Sequence, residues 1–368
     1  MIESMKIVKR ALSAWWLRVK TRREAARAFR YDMAQFMENA GALHLDRMAA
    51  ARAEIVMGYH VLEKGLTMPR RRLGFGRGAV VRLVGLVAGF ERRFGCGDPQ
   101  VAHAVGVLRA YAELHEASGG SGDSGKAGES GSPGDSGNSG GSGNSGDSGK
   151  AGESGSPGIP VELARFLAAR PGVPAAVEPH VAREAFFAAR DRPFPEFAAS
   201  RHVVRHFAGT VPRETIEAAV SIALTAPSAC NRQHARVHVV DSPDLRDRLF
   251  ALQGGTRGFG QDADKVVVVT ADLSSVRWAW ERHDCYVNGG IFVMNLCYAL
   301  HYHGVAHCIL HWSVSPETDR AAHALLDIPG NEAIVQVIAC GMPPGEFDVA
   351  ASPRLSVADV LAWHGGPR

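Results

Sequence analysis

The sequence lacks the features that define several classes of protein. Its six cysteines form no C-x-x-C pair, which argues against a zinc ribbon or a disulfide framework and predicts reduced thiols in a cytoplasmic protein. We find no signal-peptide pattern at the N-terminus. The longest mostly apolar run, Ala79–Phe90, contains Arg82 and is too short to span a bilayer, so no transmembrane segment is predicted.

An excess of charge of one sign is also missing. The 41 basic and 38 acidic residues leave a formal net charge of +3, and 46% of the residues are apolar. This balance predicts neither a nucleic-acid partner nor a disordered acidic chain. With 368 residues, the chain has room for two domains.

The first 30 residues depart from this balance. Their basic residues are accompanied by only two acidic ones, Glu3 and Glu24, and apolar residues such as Trp15 and Trp16 lie between them. The pattern predicts a basic amphipathic helix. Either the tryptophans pack on the helix's own domain, or the helix lies on an anionic membrane surface or docks on an acidic partner.

A low-complexity segment follows a helical, alanine-rich region. Glycine stands at every third position from Gly119 to Gly158, and the block S-G-D-S-G-K-A-G-E-S-G-S-P-G occurs twice. This period is typical of collagen, but collagen needs abundant proline and the segment has only Pro133 and Pro157, so a flexible tether is predicted instead. The predicted organisation is a helical region (1–117), a linker (118–158) and a second domain (159–368).

The second domain alternates helices and strands. The runs V-V-V-V-T and I-V-Q-V-I-A-C predict central strands that helices cover on both faces. The helix from Asp284 is apolar nearly all round, which predicts burial in the core or against a second subunit. The predicted helices are Arg213–Thr225, Pro243–Gln253, Asp284–His303 and Pro316–Leu326, and the predicted strands are Arg236–Asp241, Lys265–Ala271, Ala306–Trp312 and Ala333–Cys340.

Three stretches of this domain offer ligand-binding chemistry. Arg201 and Arg205 would share one face of an extended chain and suit a phosphate monoester, or they belong to a solvated basic strand. The turn Ala226–Gln233 has uncharged donors and acceptors that suit the edge of a planar heterocycle, or it is an ordinary polar turn after a helix. Late in the chain, Arg354 adds a third guanidinium.

Two further stretches suggest other ligands. The loop Gly254–Gly260 is rich in glycine, but it follows a helix and precedes a strand, which is the wrong order for a dinucleotide fingerprint. A mobile loop over a ligand pocket fits it better. Several histidines lie between His301 and His311, but His301 and His303 diverge on a helix, so no metal site is predicted.

In chain order these stretches read R-x-x-x-R-x-F, A-P-S-x-x-N-x-Q, a helix with glycines, C-I-L-H-W-S and P-R-L. This ordered set, from about Pro195 to His364, resembles the FMN-dependent nitroreductase family. The resemblance implies an α+β three-layer fold with a central mixed sheet, preceded here by the helical region, and a homodimer with its active site at the interface. The segment Tyr59–Leu66 resembles a branch of that family found alongside polysaccharide-biosynthesis enzymes.

The resemblance also implies which residues surround the flavin. Those at the phosphate and ribityl chain would be Arg201, His202, Arg205 and Arg354. Those that approach the ring from the second subunit would be Pro227, Ser228, Ala229 and Asn231, with Gln233 supporting the turn. Those that cover the ring with backbone groups would be Leu310, His311, Trp312 and Ser313.

The implied activity is reduction of FMN by NAD(P)H, followed by reduction of a small nitro- or quinone-like acceptor at the same place. Such chemistry needs no catalytic side chain, because the flavin carries the hydride. Arg257, Phe259 and Tyr286 are candidate acceptor contacts, although core packing is the commoner role of aromatic residues. Val203 replaces a usual serine, which keeps open an alternative function as a redox-inactive flavin-fold scaffold in envelope polysaccharide assembly.

Overall fold

The computed structural model describes residues 2–40, 43–44, 46–71, 73–119 and 158–366. Most of the predicted linker, residues 120–157, lies outside the described residues, and positions 118 and 119 end a helix. The helices are α1 (Ile2–Asn39), α2 (Met48–Leu66), α3 (Arg77–Phe94), α4 (Pro99–Gly119), α5 (Val161–Ala168), α6 (Arg183–Phe186), α7 (Phe194–Ser200), α8 (Arg213–Ala223), α9 (Pro243–Gln253), α10 (Asp284–Tyr302), α11 (Pro316–Leu326) and α12 (Val357–Val360). The strands are β1 (Val177–Ala182), β2 (Ala235–Val240), β3 (Lys265–Asp272), β4 (Ala306–Leu310), β5 (Glu332–Gly341) and β6 (Glu346–Ala350).

The chain forms two compact units, each built from two separate segments. Unit 1 comprises residues 1–44 and 183–345, and unit 2 comprises residues 45–182 and 346–368. This division differs from the predicted boundaries at 117 and 159. The physical reason is that α5 packs on α3 and α4, while β1 pairs with β6, so both ends of the predicted second domain join the helices of unit 2.

Unit 2 is a small helical bundle with a two-stranded antiparallel ribbon. Its core combines apolar side chains of α2, α3, α4 and α5, among them the fully buried Leu62, Leu83 and Leu108. The buried carboxylate of Asp348 on β6 accepts from Arg71 and His180, at 2.5 and 2.9 Å. These contacts fix the returning C-terminal segment within the unit.

Unit 1 contains a four-stranded sheet in the order β2-β3-β5-β4. All three strand pairs are antiparallel, so the prediction of a mixed sheet is wrong in this respect. Apolar patterning predicted the central strands but does not encode their direction. The first seven residues of β3 are buried, as the run V-V-V-V-T predicted, and the α+β class is confirmed.

Helices α8 and α10 pack on one face of this sheet. Gly289 lets α10 come close to β5, because a Cβ at this position would lie 2.8 Å from a Val335 methyl carbon. Helices α9 and α11 contact each other and begin at the predicted prolines. The preceding serines, Ser242 and Ser315, cap them by accepting from backbone N–H groups.

Helix α1 belongs to unit 1, and an ion pair near its C-terminal end attaches it there. Asp32 accepts from Arg282 at 2.6 and 2.5 Å and lies 3.2 Å from His283. Trp15 and Trp16 are 56% and 60% exposed, so the expectation that they pack on their own domain is wrong. In the described part of the chain, no helix combines the length and apolar character needed to cross a membrane.

Candidate functional site

Two arginines lie in the segment 201–207, Arg205 buried and Arg201 partly buried. Arg205 is only 8% exposed, and it makes no hydrogen bond or ion pair with another described residue. Arg201 is partly buried, and its Nη1 atom is inaccessible and has no hydrogen-bond partner among the described residues. The segment is fixed by the Val204 N–H, which donates to the carbonyl of His307 on β4 at 3.0 Å.

An unpaired buried guanidinium is costly to the folded protein. Removing a cation from water costs several kcal/mol unless an anion and hydrogen bonds compensate for it. Arg201 and Arg205 belong to the same short segment, and neither forms an ion pair with a carboxylate of the described residues. The arrangement therefore suits an anionic ligand that presents several oxygen acceptors to two guanidinium groups.

Two buried histidines share this neighbourhood of unit 1. Burial, His307 and Arg201 lower the pKa of His301 to about 3, and burial together with Arg201 lowers the pKa of His307 to about 4. Both imidazoles are therefore neutral at pH 7. His301 Nδ1 and His307 Nε2 are buried and, like Arg201 Nη1, lack a hydrogen-bond partner among the described residues.

The turn Ala226–Gln233 has a strained backbone. Cys230, Asn231 and Gln233 have φ values of 52°, 53° and 51°, in the left-handed region that non-glycine residues seldom adopt. Such conformations cost about 1–3 kcal/mol each and concentrate at functional sites. Pro227, Asn231 and Gln233 are exposed, whereas Ser228 and Ala229 are half-buried, so the turn presents its amide groups to solvent.

Hydrogen bonds hold this turn in its conformation. Ser228 Oγ accepts from the N–H of Gln233 at 2.9 Å, and Asn288 Oδ1 of α10 accepts from the N–H of Ala229 at 3.1 Å. Arg232 donates to Glu281 and Asp284, both at 2.9 Å. Arg232 and Asn288 were not predicted as parts of the site, and the one signal in the sequence is the charge of Arg232 inside an otherwise neutral turn.

The loop after β4 is fixed by two glutamines that the sequence analysis also missed. Gln336 donates to the carbonyl of Leu310 at 2.7 Å, and Gln253 donates to the carbonyl of His311 at 3.1 Å. Trp312 Nε1 donates to Asp319 at 2.8 Å, which holds the indole against α11. Ser313 is exposed. These contacts make Leu310–Ser313 a supported loop rather than a free one.

The three candidate acceptor contacts have different surroundings. Phe259 is 0% exposed and lies 6.3 Å from the ring of Phe207, so its prediction as a substrate contact is wrong because the side chain is part of the core. Arg257 lines a cavity of about 330 Å³ with Asp247 and Phe250. Tyr286 on α10 is 51% exposed. For Arg257 and Tyr286 the role stays a prediction.

Two other residues that the resemblance assigns to the flavin phosphate are Arg354 and His202. Arg354 lies in unit 2, where it donates to the carbonyl of Ser352, so its predicted role at the phosphate stays a prediction. His202 is half-buried and lies next to Arg201 in sequence.

Within the described residues, no group of three or more His, Cys, Asp or Glu side chains is arranged to hold a metal ion. All six cysteines are free thiols.

Comparisons with solved structures give distant similarities. A candidate nitroreductase in complex with FMN from Desulfovibrio desulfuricans is 22% identical, with 48% of this chain and 99% of that chain covered and a TM-score of 0.39. A nitroreductase family protein from Streptococcus pneumoniae is 19% identical, with 47% and 100% covered and a TM-score of 0.41. A nitroreductase-like protein from Streptococcus mutans is 20% identical, with 47% and 98% covered and a TM-score of 0.41. No curated protein sequence matches the chain significantly.

A match to a family model is more informative, because it covers the residues of the site. Residues 198–256, described as the nitroreductase family, contain both arginines and the strained turn. The matched segment includes Arg201, whose buried Nη1 has no hydrogen-bond partner among the described residues, and a guanidinium donor of this kind suits a phosphate group. The resemblance seen in the sequence is thus confirmed for residues 198–256, the part of the chain that the nitroreductase family model matches.

Proposed function

We propose that Arg201 and Arg205 bind the FMN phosphate and that the protein uses NAD(P)H to reduce a small nitro- or quinone-like acceptor. The observation that supports this best is the burial of Arg205, 8% exposed and without a partner among the described residues. A phosphate would supply the missing negative charge and several acceptor oxygens. His301 and His307, both neutral at pH 7, would add donors without adding charge.

We further propose that the strained turn contacts the flavin of a second copy of the chain. The exposed side of α10 supports such a homodimer, because Tyr286, Val287 and Ile291 are 51%, 60% and 42% exposed. An apolar strip of this kind favours a protein–protein contact. Asn288, on the same helix, positions the turn through the Ala229 N–H. The turn and the strip would then belong to one interface.

In this proposal the flavin carries out the redox chemistry and the protein binds and orients the reactants. Bound FMN supplies hydride transfer between the nicotinamide and the acceptor. The residues of the chain hold the phosphate at Arg201 and Arg205, present the amides of Asn231 and Gln233, and support the loop Leu310–Ser313. No side chain has to transfer a proton. Tyr286 and Arg257 are proposed to contact the acceptor.

Only a few residues support a proposal about the physiological role of the protein. The resemblance of Tyr59–Leu66 supports a link with polysaccharide biosynthesis, which we keep as part of the proposal. A second candidate function is a redox-inactive flavin-fold scaffold in the assembly of envelope polysaccharide. Val203, which removes a usual hydroxyl donor beside Arg201, is the observation that favours it.

Anaerobic titration with NADH and then NADPH, followed at the flavin absorbance band, separates these functions. We expect the purified protein to be yellow and one nicotinamide to bleach the flavin, with colour returning when a quinone is added. Flavin that binds but resists both nicotinamides would favour the scaffold. Protein that remains colourless after incubation with FMN would contradict both functions.

A further inference from the structure

We infer that the N-terminal half of α1 is a binding surface for an anionic lipid bilayer. From Lys9 to Arg18 every side chain of the helix is exposed, although the segment contains Leu12, Trp15, Trp16 and Leu17. These four apolar side chains are 55%, 56%, 60% and 56% exposed. Exposed tryptophans at this density are uncommon on a protein surface that meets only water.

Leu12, Trp15 and Trp16 lie on one side of the helix, whereas Leu17 falls on the other side. With 3.6 residues per turn, Leu12, Trp15, Trp16 and Val19 fall on a single face, which we call the tryptophan face. The two indole rings meet edge to face, with their centroids 5.5 Å apart. A face of this kind can insert side chains at the boundary between lipid headgroups and acyl chains.

The opposite side of α1 contacts the protein itself. Thr21, Ala25, Ala28 and Asp32 recur on that side at helical spacing, and all four are partly buried. Asp32 forms the ion pair with Arg282 described above. The helix is therefore anchored to unit 1 with its tryptophan face directed outward.

Positive charge borders the tryptophan face on both edges. Helical spacing places Lys9 and Lys20 along one edge and Arg18 and Arg22 along the other. Residues 1–30 contain nine basic and two acidic residues. Among the described residues, only Lys20 of these nine has an acidic partner, Glu24 at 3.9 Å. Each basic side chain held near an anionic surface adds to lipid affinity.

The positive charge of α1 favours binding to an anionic lipid surface over pairing with a second copy of the helix. Two paired copies would bring their unneutralised cations together, which opposes association. A bilayer with anionic headgroups neutralises the same cations and also accepts the indoles. The amphipathic pattern with Trp and flanking Lys or Arg is typical of helices that lie on membranes.

Flotation of the purified full-length protein with vesicles tests this inference. We expect binding to phosphatidylcholine vesicles that contain phosphatidylglycerol, about tenfold or more weaker binding to pure phosphatidylcholine, and loss of binding as salt screens the charges. The double substitution Trp15→Ser, Trp16→Ser and the triple substitution Lys9→Glu, Arg18→Glu, Arg22→Glu should each abolish flotation. Neither affects the site of unit 1, so flavin content should stay unchanged.

A matched control reverses three exposed arginines on other helices of unit 1, Arg213→Glu, Arg248→Glu and Arg320→Glu. This variant changes the net charge equally and should float like the unsubstituted protein. Equal loss in the control, or binding that is indifferent to phosphatidylglycerol, would overturn the inference. So would a smaller oligomer in the tryptophan variant without any vesicle binding, since α1 would then cover a second copy.

Discussion

Two regions of unit 1 carry cations that lack acidic partners among the described residues, and they differ in burial. Arg205 is 8% exposed, whereas the basic residues of the first 30 that the structure describes are exposed. An unpaired cation in water costs little, but one removed from water costs several kcal/mol. Arg205 and the partly buried Arg201 therefore favour one ligand of fixed geometry, whereas the exposed helix favours an extended anionic surface.

Besides Arg205, Lys265 is also a buried cation of unit 1, and it has carboxylate partners. Its side chain is 7% exposed and its Nζ lies 2.6 Å from Asp241 and 3.3 Å from Asp264. The hydrogen bonds and charges of both aspartates outweigh burial and raise the pKa of Lys265. Lys265 thus has two carboxylate partners, whereas Arg205 has none among the described residues.

The largest expected effect comes from removing the partners of Lys265. The double substitution Asp241→Ala, Asp264→Ala should lower the free energy of unfolding by about 4 kcal/mol, because it leaves an uncompensated buried ammonium. Urea unfolding at pH 7 measures this difference. A loss below about 1 kcal/mol would mean that this interior tolerates unpaired cations. The lack of a partner at Arg205 would then no longer indicate a bound anion.

Acid should create two more unpaired cations beside Arg201. The folded pKa values of His301 and His307, about 3 and about 4, lie below their ordinary value of 6.5. Their contribution to stability is therefore complete above pH 6.5 and is lost as the pH falls from 6.5 towards 4. For His307 alone the loss approaches about 3 kcal/mol. Urea unfolding of His307→Asn between pH 7 and pH 4 should show a shallower pH dependence than the unsubstituted protein; equal slopes would contradict the assignment.

Glu63 in unit 2 is a buried acidic residue whose contribution to stability is also lost at low pH. Burial alone would raise the pKa of Glu63, but hydrogen bonds from His103, His60 and the Ser352 N–H lower it to about 2. This stabilisation is present above the ordinary pKa of 4.5 and is lost as the pH falls towards 2. Glu63→Gln should cost about 2 kcal/mol at pH 7 and flatten the unfolding profile below pH 4.5. An unchanged profile would show that the pKa of Glu63 is the same in the folded and unfolded states, which would contradict the assignment.

The smallest effect is expected on α1. Lys9→Gln combined with Arg18→Gln should change the free energy of unfolding by less than about 0.5 kcal/mol, because both side chains are exposed and unpaired within the described residues. Thermal or urea unfolding without lipid provides the measurement. A large destabilisation would mean that these cations make intramolecular contacts, and the difference in burial and pairing between them and Arg205 would not hold.

Much of unit 1 could be predicted from local sequence signals. Helices α9 and α11 begin at the predicted prolines, and β3 follows a run that is apolar on both faces. Strands β1 and β6 were missed because their pairing joins Val177 to Ala350, which no local pattern encodes. Phe259 was misassigned for a related reason, since its burial depends on distant residues such as Phe207.

The residues of the candidate site stay a prediction, and the residues that support them were not predicted. The arginines and the turn lie inside the matched family segment, residues 198–256. Asn288, Gln336 and Glu281, which fix the turn and the loop, come from elsewhere in the chain and have no distinctive local spacing. The strain at Cys230 and Asn231 was likewise invisible, because glycine, the usual signal of positive φ, is absent there.

The most direct test of the account is FMN titration of Arg205→Leu, combined with the stability of its apoprotein. We expect FMN affinity to fall by about 2 kcal/mol, roughly thirtyfold, because charged hydrogen bonds to phosphate are lost. The apoprotein should be as stable as the unsubstituted one or more stable, since an unpaired buried charge has been removed. An apoprotein that is strongly destabilised while its FMN affinity is unchanged would show that Arg205 is structural, which would contradict the central claim.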